Sequence, residues 1–346
     1  MITVRLAKAA AAAVAVAAVL AAPYVLPSYV VSLLTLGFIA ALLAGSVNLL
    51  AGQAGLVSLG HAGLAAAGAY GVAWATVQGL PLAAALGVAG ALTLAVSVLY
   101  ALTTMRTSGI VFLMITLALG ITVFGLAVKL SSVTGGQNGL TGVGRPEAVG
   151  EWWQYYFFAA AVSVLCALAM AVVSRSPFGL ALRGIRESPS RMTSLGYSVP
   201  AAKFAAVVVS GCFAGCAGVL LAWNAEFMSP SVASFPRSAL AVVMVIVGGV
   251  GTALGPFVGA AVVVSGEYWL SSYVERWQTV LGVLFILVVL FTPGGIVGGL
   301  GDLTRRLARR RRPAPGPAAP VVRRDDPSTS AAAVAARSHP AGKEES

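Results

Sequence analysis

Charged side chains are scarce in this sequence and unevenly placed. Only 10% of its 346 residues are Asp, Glu, Lys or Arg, and none of these lies between Ala9 and Met105. A soluble globular domain has roughly 25% charged residues, so this composition excludes a soluble enzyme or binding module. A helix needs about 20 residues to cross the hydrocarbon core of a bilayer, so the uncharged stretch alone has room for about four crossings.

Patterns that carry catalytic or metal chemistry are missing too. The three cysteines, Cys166, Cys212 and Cys216, lie in apolar segments without metal-ligand spacing, so we expect them to be packing residues. The sequence has no GxxxxGK[ST] phosphate loop and no cluster of His, Asp and Glu at catalytic spacing. We therefore expect no enzymatic activity, no metal and no cofactor in this chain.

The net charge of +11 does not indicate nucleic acid binding, because the basic residues lie in segments that determine the orientation of a membrane protein. They collect in the loop 175–203 and in the tail segment 305–312. Loops rich in Lys and Arg stay on the cytoplasmic side of a membrane. We expect the lipid bilayer, not a nucleic acid, to surround this chain.

The apolar runs are long and do not alternate with polar residues, which favours helices over a membrane barrel. Seven spans are predicted, at 9–26, 29–49, 57–78, 81–104, 109–130, 155–173 and 203–223. Residues 238–270 are too long for one span, and a split at Gly248–Gly249 gives two, followed by a last span at 277–297. We predict an all-α, polytopic integral membrane helical bundle with about ten transmembrane helices (range eight to ten); the sequence leaves open whether 238–272 crosses once or twice.

The basic residues predict the orientation and the domains of the chain. Placing Arg5, Lys8, Arg106 and the loop 174–202 on one side puts both termini in the cytoplasm, once 238–270 is counted as two spans. Residues 1–300 are predicted to form a transmembrane domain. Residues 301–346 are basic and rich in Ala, Pro and Ser, which predicts a disordered cytoplasmic tail.

The segment 175–199 predicts two short amphipathic helices. Ser176 is a candidate N-cap with Pro177 at the first helical position, and Ser188 and Pro189 repeat the pattern before a stop at Gly196. In the first helix, apolar residues recur on one face while Arg183 and Arg186 project from another. We interpret the segment as a cytoplasmic handle whose arginines can pair with acidic groups of a partner; the alternative is a topology-setting loop without a partner.

Two glycine-rich segments, 48–71 and 248–260, interrupt the apolar sequence. Such paired interruptions favour broken helices beside a substrate path. The candidate polar groups of that path are Gln53, Ser58, His61 and Thr252. The alternative is that the glycines only allow close helix contact, as the spacing of Gly211 with Gly215 and of Gly255 with Gly259 suggests, and that His61 is a hydrogen-bonded packing residue.

The loop 131–147 is rich in turn formers and is predicted to lie outside the cell. It is either a plain turn or a docking surface for the component that delivers the substrate. The candidate docking residues are Thr134, Gly135, Gly136, Asn138 and Gly139.

Six segments together resemble a known family, the LivH/LivM-type permeases of ABC importers for branched-chain amino acids, with the closer likeness to the LivM branch. In chain order they are AGQAGLVSLGHAGLAAAGAY (51–70), TLALG (116–120), TGGQNGLTGV (134–143), RSPFGLALRGIRES (175–188), SLGYSVPAAKF (194–204) and VGGVGTALGPFVGA (247–260). The likeness runs from about residue 48 to 299.

The resemblance implies a permease subunit of the bacterial plasma membrane that works by alternating access. Its implied partners are a second, LivH-like permease, two cytoplasmic ABC ATPase subunits that bind ATP and Mg²⁺, and an extracytoplasmic substrate-binding protein. The loop 175–199 then corresponds to the segment that docks on the ATPase. That assigns contact roles to Phe178, Gly179, Arg183, Arg186, Glu187 and Gly196, although ESPSRMTSLG replaces the family's usual alanine- and glutamate-rich run.

Other functions remain as alternatives. Relatives of the family transport urea, short amides and other amino acids as well as Leu, Ile and Val. A passive channel or an ion-coupled carrier would need buried Asp, Glu or Lys, for which Glu267, near a membrane end, is the lone candidate.

Overall fold

The computed structural model describes residues 17, 19–273, 276, 279–280, 282–283 and 295–299. Within these residues the chain is an all-α bundle with one two-residue β ladder. Half of the predicted span 9–26, most of the predicted span 277–297 and the whole predicted tail 301–346 lie outside the described residues.

After a helical stretch at 19–25, one helix follows another through the described chain. The helices are α1 (Ser28–Leu49), α2 (His61–Val77), α3 (Leu82–Thr104), α4 (Gly109–Lys129), α5 (Ser131–Thr134), α6 (Trp152–Arg175), α7 (Pro177–Glu187), α8 (Pro189–Ser194), α9 (Val199–Ala225), α10 (Phe235–Gly248) and α11 (Gly255–Tyr273). A π-helical turn, Leu50–Ala54, extends α1, and β1 (Leu140–Thr141) pairs antiparallel with β2 (Phe227–Met228).

The long helices coincide with the predicted spans. Of the described helices, α1 with its π turn, α3, α4, α6 and α9 are long and apolar enough to cross a membrane. The fold is therefore a polytopic membrane bundle, as predicted. The span predicted to begin at residue 57 begins later, at His61, because residues 55–60 form an irregular connection. The total of about ten crossings and the cytoplasmic position of both termini stay predictions.

The segment 238–270 splits into two helices near Gly248–Gly249, as predicted; that these two helices make two crossings stays a prediction. The turn between α10 and α11 includes Gly249 and Gly251 with φ of 116° and 78°, a region that glycine enters without steric cost. A Cβ on Gly248 would overlap the carbonyl of Gly255, and one on Gly259 would overlap that of Met244. This order of contacts makes α10 and α11 an antiparallel hairpin packed on its glycines.

Helix α2 is the centre of the bundle, since every residue from His61 to Ala73 is buried. It packs mainly against α3 and α9. A Cβ on Gly218 of α9 would overlap the carbonyl of Ala65. Helices in lipid gain no hydrophobic free energy from associating, so close packing of their backbones at small residues stabilises the contact instead. Both Gly211 and Gly215 are also in close contact, with α3, as their spacing suggests.

We predict that Gly218→Ala destabilises the bundle by about 1–3 kcal/mol, because the added methyl group forces α2 and α9 apart. The matched control is Gly90→Ala on α3, where a Cβ would meet no atom within 4 Å and where the higher helix propensity of Ala adds up to about 1 kcal/mol. Chemical unfolding of the purified protein in detergent measures both. Equal stability of the two variants would contradict this account of the α2–α9 contact.

Candidate coupling and translocation site

Helix α7 forms where its capping residues predict it. The Ser176 hydroxyl accepts a hydrogen bond from the Gly179 amide at 3.4 Å, with Pro177 at the first helical position. Leu182 and Ile185 are fully buried, and Leu182 packs in one cluster with Leu50 and Ala54 of the π turn. The apolar face of α7 is thus fixed to the end of α1.

Helix α8 repeats the pattern with Ser188 and Pro189, as predicted. Gly196 follows it with φ of 86°. Of the six predicted contact residues, Phe178 and Gly179 pack against the bundle, whereas Arg183, Arg186, Glu187 and Gly196 are exposed.

The two arginines of α7 bind the chain's own π turn. Arg183 Nε donates to Gln53 Oε1 at 2.7 Å, and Arg186 Nη1 donates to the carbonyl oxygen of Gly52 at 2.7 Å. A second guanidinium nitrogen of Arg183 donates to the Ser174 carbonyl at the end of α6. Both arginines therefore already have hydrogen-bond acceptors within the chain, and these acceptors compete with the expected pairing to a partner protein.

The π turn explains why Gly52 needs such a donor. In a continuing α-helix the amide of Leu56 would bond to the carbonyl of Gly52. Here it donates to the carbonyl of Leu50 at 3.2 Å instead. The Gly52 carbonyl is therefore left for Arg186, whose aliphatic stem also lies against Gly55, where φ is 68°. π turns inside helices are frequent at functional sites.

Asn48 joins the same region to the α10–α11 turn. Its side-chain amide donates to the carbonyl of Thr252 at 2.9 Å and accepts from the amide of Gly251 at 2.7 Å. Gly52 lies so close that a Cβ there would be 2.6 Å from the Cα of Gly251. The sequence analysis missed Asn48, although a lone amide in an apolar helix is the kind of signal that would have found it.

These elements enclose a cavity of about 480 Å³ between α1, α6, α7 and the α10–α11 turn. One part of its wall is apolar and includes Leu42, Met170 and Phe257. The other part is polar: Asn48, Gln53, Thr252, Ser174, Arg175, Arg183 and Arg186. The cavity has the mixed character of a passage for a small amphiphilic solute.

The four predicted path residues fall into two groups. Gln53 and Thr252 line the cavity, whereas Ser58 and His61 are buried elsewhere and do not line it. The Ser210 hydroxyl donates to the Ser46 carbonyl at 2.7 Å, so His61 Nε2, at 2.8 Å from Ser210 Oγ, is the donor of that second bond. His61 and Ser210 therefore link α1, α2 and α9 by hydrogen bonds, which supports the packing alternative; a path role for Ser58 and His61 stays a prediction.

The five predicted docking residues form one closed turn. The Thr134 hydroxyl is buried; it donates to the Ala127 carbonyl at 2.6 Å and accepts from the Gly136 amide at 3.3 Å. Gly135, Gly136 and Gly139 all have positive φ, and Gly139 lies against Phe227 and Met228. Asn138 is exposed at the tip. A docking role for this turn stays a prediction.

Arg145 holds this outer loop to the end of α9 and was missed by the sequence analysis. Its Nε atom lies 3.1 Å from Glu226 Oε1 and donates to the Trp223 carbonyl at 3.1 Å. Its guanidinium carbon lies 4.8 Å from the centre of the Tyr155 ring. Sequence spacing alone cannot reveal a partner so far along the chain.

Comparison with known proteins identifies the family. A family model described as branched-chain amino acid transport system, permease component, matches residues 29–290. The chain is 29% identical over 235 residues to the high-affinity branched-chain amino acid transport system permease protein LivM of Salmonella typhimurium, and 28% identical over 235 residues to that of Escherichia coli. Each alignment covers 60% of this chain and 55% of the relative, so the chain spans about half the length of the curated relatives it matches.

No solved structure gives a significant match. The LivM-type resemblance seen in the six sequence segments is nevertheless confirmed by the curated relatives. Because the family model covers most of the chain, this protein belongs to the permease family of the branched-chain amino acid transport system.

Proposed function

We propose that this chain is a transmembrane permease subunit of an ATP-driven ABC importer and moves branched-chain amino acids across the bacterial plasma membrane by alternating access. The observation that carries the proposal is the pair of hydrogen bonds from Arg183 and Arg186 to the π turn. These bonds tie a surface helix to a break in a spanning helix beside a cavity. Membership of the branched-chain amino acid permease family supports the class of substrate.

The motor lies in other chains, since the sequence has no phosphate loop. Two ATPase subunits bind ATP and Mg²⁺ and grip the handle 175–199 from the cytoplasm. A second, LivH-like permease completes the pathway, and an extracytoplasmic binding protein delivers the substrate near the turn that holds Asn138.

Exposed apolar residues on the handle support an ATPase contact there. Leu180 is 59% exposed, Leu195 72% and Tyr197 50%. Apolar side chains clustered on one exposed segment are typical of a protein contact surface. In this proposal they bind the ATPase, while Arg183 and Arg186 transmit its movement inward.

The free-energy contributions indicate which contacts attach the handle to the bundle and which ones set its orientation. Burying Leu182 and Ile185 stabilises the attachment of α7 by about 1.5–3 kcal/mol each. A charge-assisted hydrogen bond contributes about 1.5–3 kcal/mol when buried, but these arginines are exposed and water competes, so about 1 kcal/mol each is the more realistic contribution. Apolar packing therefore anchors α7, and the arginine bonds set its direction relative to the π turn.

A movement of α7 then passes through two successive contacts. Arg186 and Arg183 displace the π turn, and Asn48 carries the displacement to the α10–α11 turn. Both turns line the cavity, so its opening changes with the position of the handle.

Uptake by the complete importer in proteoliposomes tests the proposed function. We expect ATP-dependent accumulation of labelled leucine and no accumulation of labelled urea. Uptake of urea in place of leucine would overturn the proposed substrate, and leucine uptake without ATP would overturn the importer in favour of a carrier.

We predict that Arg183→Gln combined with Arg186→Gln reduces leucine uptake per ATP hydrolysed by about tenfold or more, because the handle no longer pulls on the π turn. Complex assembly should remain intact, since Leu182 and Ile185 stay buried. Arg191→Gln is the control: it removes the same charge from α8, where Arg191 is exposed and no side-chain contact of it is seen among the described residues. Lost assembly with the double variant would mean that these arginines bind the ATPase instead.

We also predict that Gly52→Ala lowers the uptake rate severalfold, because its methyl group would press on the backbone of Gly251. Gly37→Ala is the control on the same helix, as a Cβ there meets no atom within 4 Å. Initial rates of leucine uptake compare the two. Normal uptake with Gly52→Ala would show that the π turn and the α10–α11 turn need not approach each other.

A further inference from the structure

A second, smaller space lies apart from the cavity of about 480 Å³ that Arg183 and Arg186 line. It is a cleft of about 60 Å³ between α1, α9, α10 and α11. Its wall is almost entirely apolar and includes Leu36, Leu43, Leu221, Leu240 and Met244. Two charged residues, Arg237 and Glu267, complete it.

The cleft lies at the middle of a spanning helix. Its contacts on α1 run from Leu36 to Leu43, which lie about 12 Å and 22 Å along the helix from Ser28. Helix α1 is long and apolar enough to cross the membrane. This part of α1 therefore lies within the span. The charged side of the cleft is nearer the beginning of α1, because Tyr268, next to Glu267, packs on Tyr29 with ring centres 4.8 Å apart.

Two opposite charges at this depth need an explanation, because ionisable groups within a bilayer are costly and mark functional sites. Arg237 is in the first turn of α10, and Glu267 is on the facing part of α11. The ion pairs found within 4.0 Å among the described residues do not include either of them. Arg237 is exposed and Glu267 is partly buried, whereas the neighbouring Ser238 is buried and its hydroxyl accepts a hydrogen bond from the Ala62 amide at 3.0 Å.

The size of the cleft suits a short aliphatic group. A water molecule needs about 10–15 Å³ of such volume, so 60 Å³ has room for about four to six groups of that size. The side chains of Val, Leu and Ile contain three or four carbons. An aromatic side chain would not fit without movement of the wall.

From these observations we infer that Arg237 and Glu267 form an amino-acid recognition site within the membrane, an inference that rests on the proposed function. Arg237 binds the α-carboxylate and Glu267 binds the α-ammonium group, while the aliphatic side chain occupies the apolar cleft. A zwitterion supplies the countercharge that each residue lacks among the described residues, which offsets the cost of placing both charges at this depth.

This arrangement separates the candidate substrates of the family. Urea has no charge for either residue and no apolar group for the cleft. It also gives Glu267, the candidate ion site of a carrier, a different role, because the positive guanidinium of Arg237 lines the same cleft and repels a metal cation there.

Equilibrium binding of labelled leucine to the purified importer, without the binding protein, tests the site directly. We expect Arg237→Gln and Glu267→Gln each to weaken binding by at least tenfold. Arg191→Gln and Glu151→Gln are the matched controls, since they remove the same charges from exposed positions outside the cleft, and should bind leucine normally. Ala40→Leu, which narrows the cleft without changing a charge, should weaken leucine binding more than alanine binding.

Competition separates the roles of the two charges. Isoamylamine lacks the carboxylate of leucine and 4-methylpentanoate lacks its ammonium group. Isoamylamine should compete poorly with labelled leucine for the unchanged protein, and Arg237→Gln should not weaken its binding further. For 4-methylpentanoate we expect the same result with Glu267→Gln. Equal losses for leucine and for both analogues in both variants would indicate a structural role and overturn the inference.

Uptake measurements in proteoliposomes distinguish a failure of this inference from a failure of the proposed function. If the unchanged importer takes up leucine and both glutamine variants bind and transport it normally, the inference is wrong and the proposed function stands. If the unchanged importer takes up no leucine, the proposed function fails and the inference fails with it.

Discussion

The carbonyl oxygen of Gly52 accepts a hydrogen bond from Arg186 at 2.7 Å where α1 widens into a π turn. A backbone polar group at the end of a spanning helix is costly when it is unpaired in an apolar bundle. The donor has to come from another element, and helix α7 supplies it. The same contact that satisfies the backbone also joins α7 to the spanning helix.

Helix α1 links the two spaces of the molecule. Its middle, from Leu36 to Leu43, borders the charged apolar cleft, and its end, from Asn48 to Gln53, borders the larger cavity. The hairpin of α10 and α11 also borders both spaces, because Arg237 and Glu267 line the cleft and Thr252 lines the cavity. In the proposed mechanism, a displacement of the π turn acts on these two elements and so on both spaces, as alternating access requires.

Much of the fold could be predicted because apolar run length and capping residues act locally. The spans of α3, α4, α6 and α9, the caps of α7 and α8, and the split near Gly248 all depend on residues adjacent in sequence. The site was less predictable. The glycines of 48–71 predict an interruption there but not that it is a π turn. The inward turn of Arg183 and Arg186 depends on acceptors at Gln53 and Gly52, far away in the chain. Gly139 was correctly predicted as a turn residue, but its packing on Phe227 and Met228 depends on pairing at a distance.

Distances between spin labels in the assembled importer test most directly whether the handle and the π turn move together. One label replaces Arg191 on α8 of the handle and the other replaces Val250 in the α10–α11 turn; both positions are exposed. A reference pair joins position 191 to Leu94, an exposed residue of α3. The account predicts that the 191–250 distance stays the same with and without bound ATP while the 191–94 distance changes. A change in the 191–250 distance with a constant 191–94 distance would contradict it.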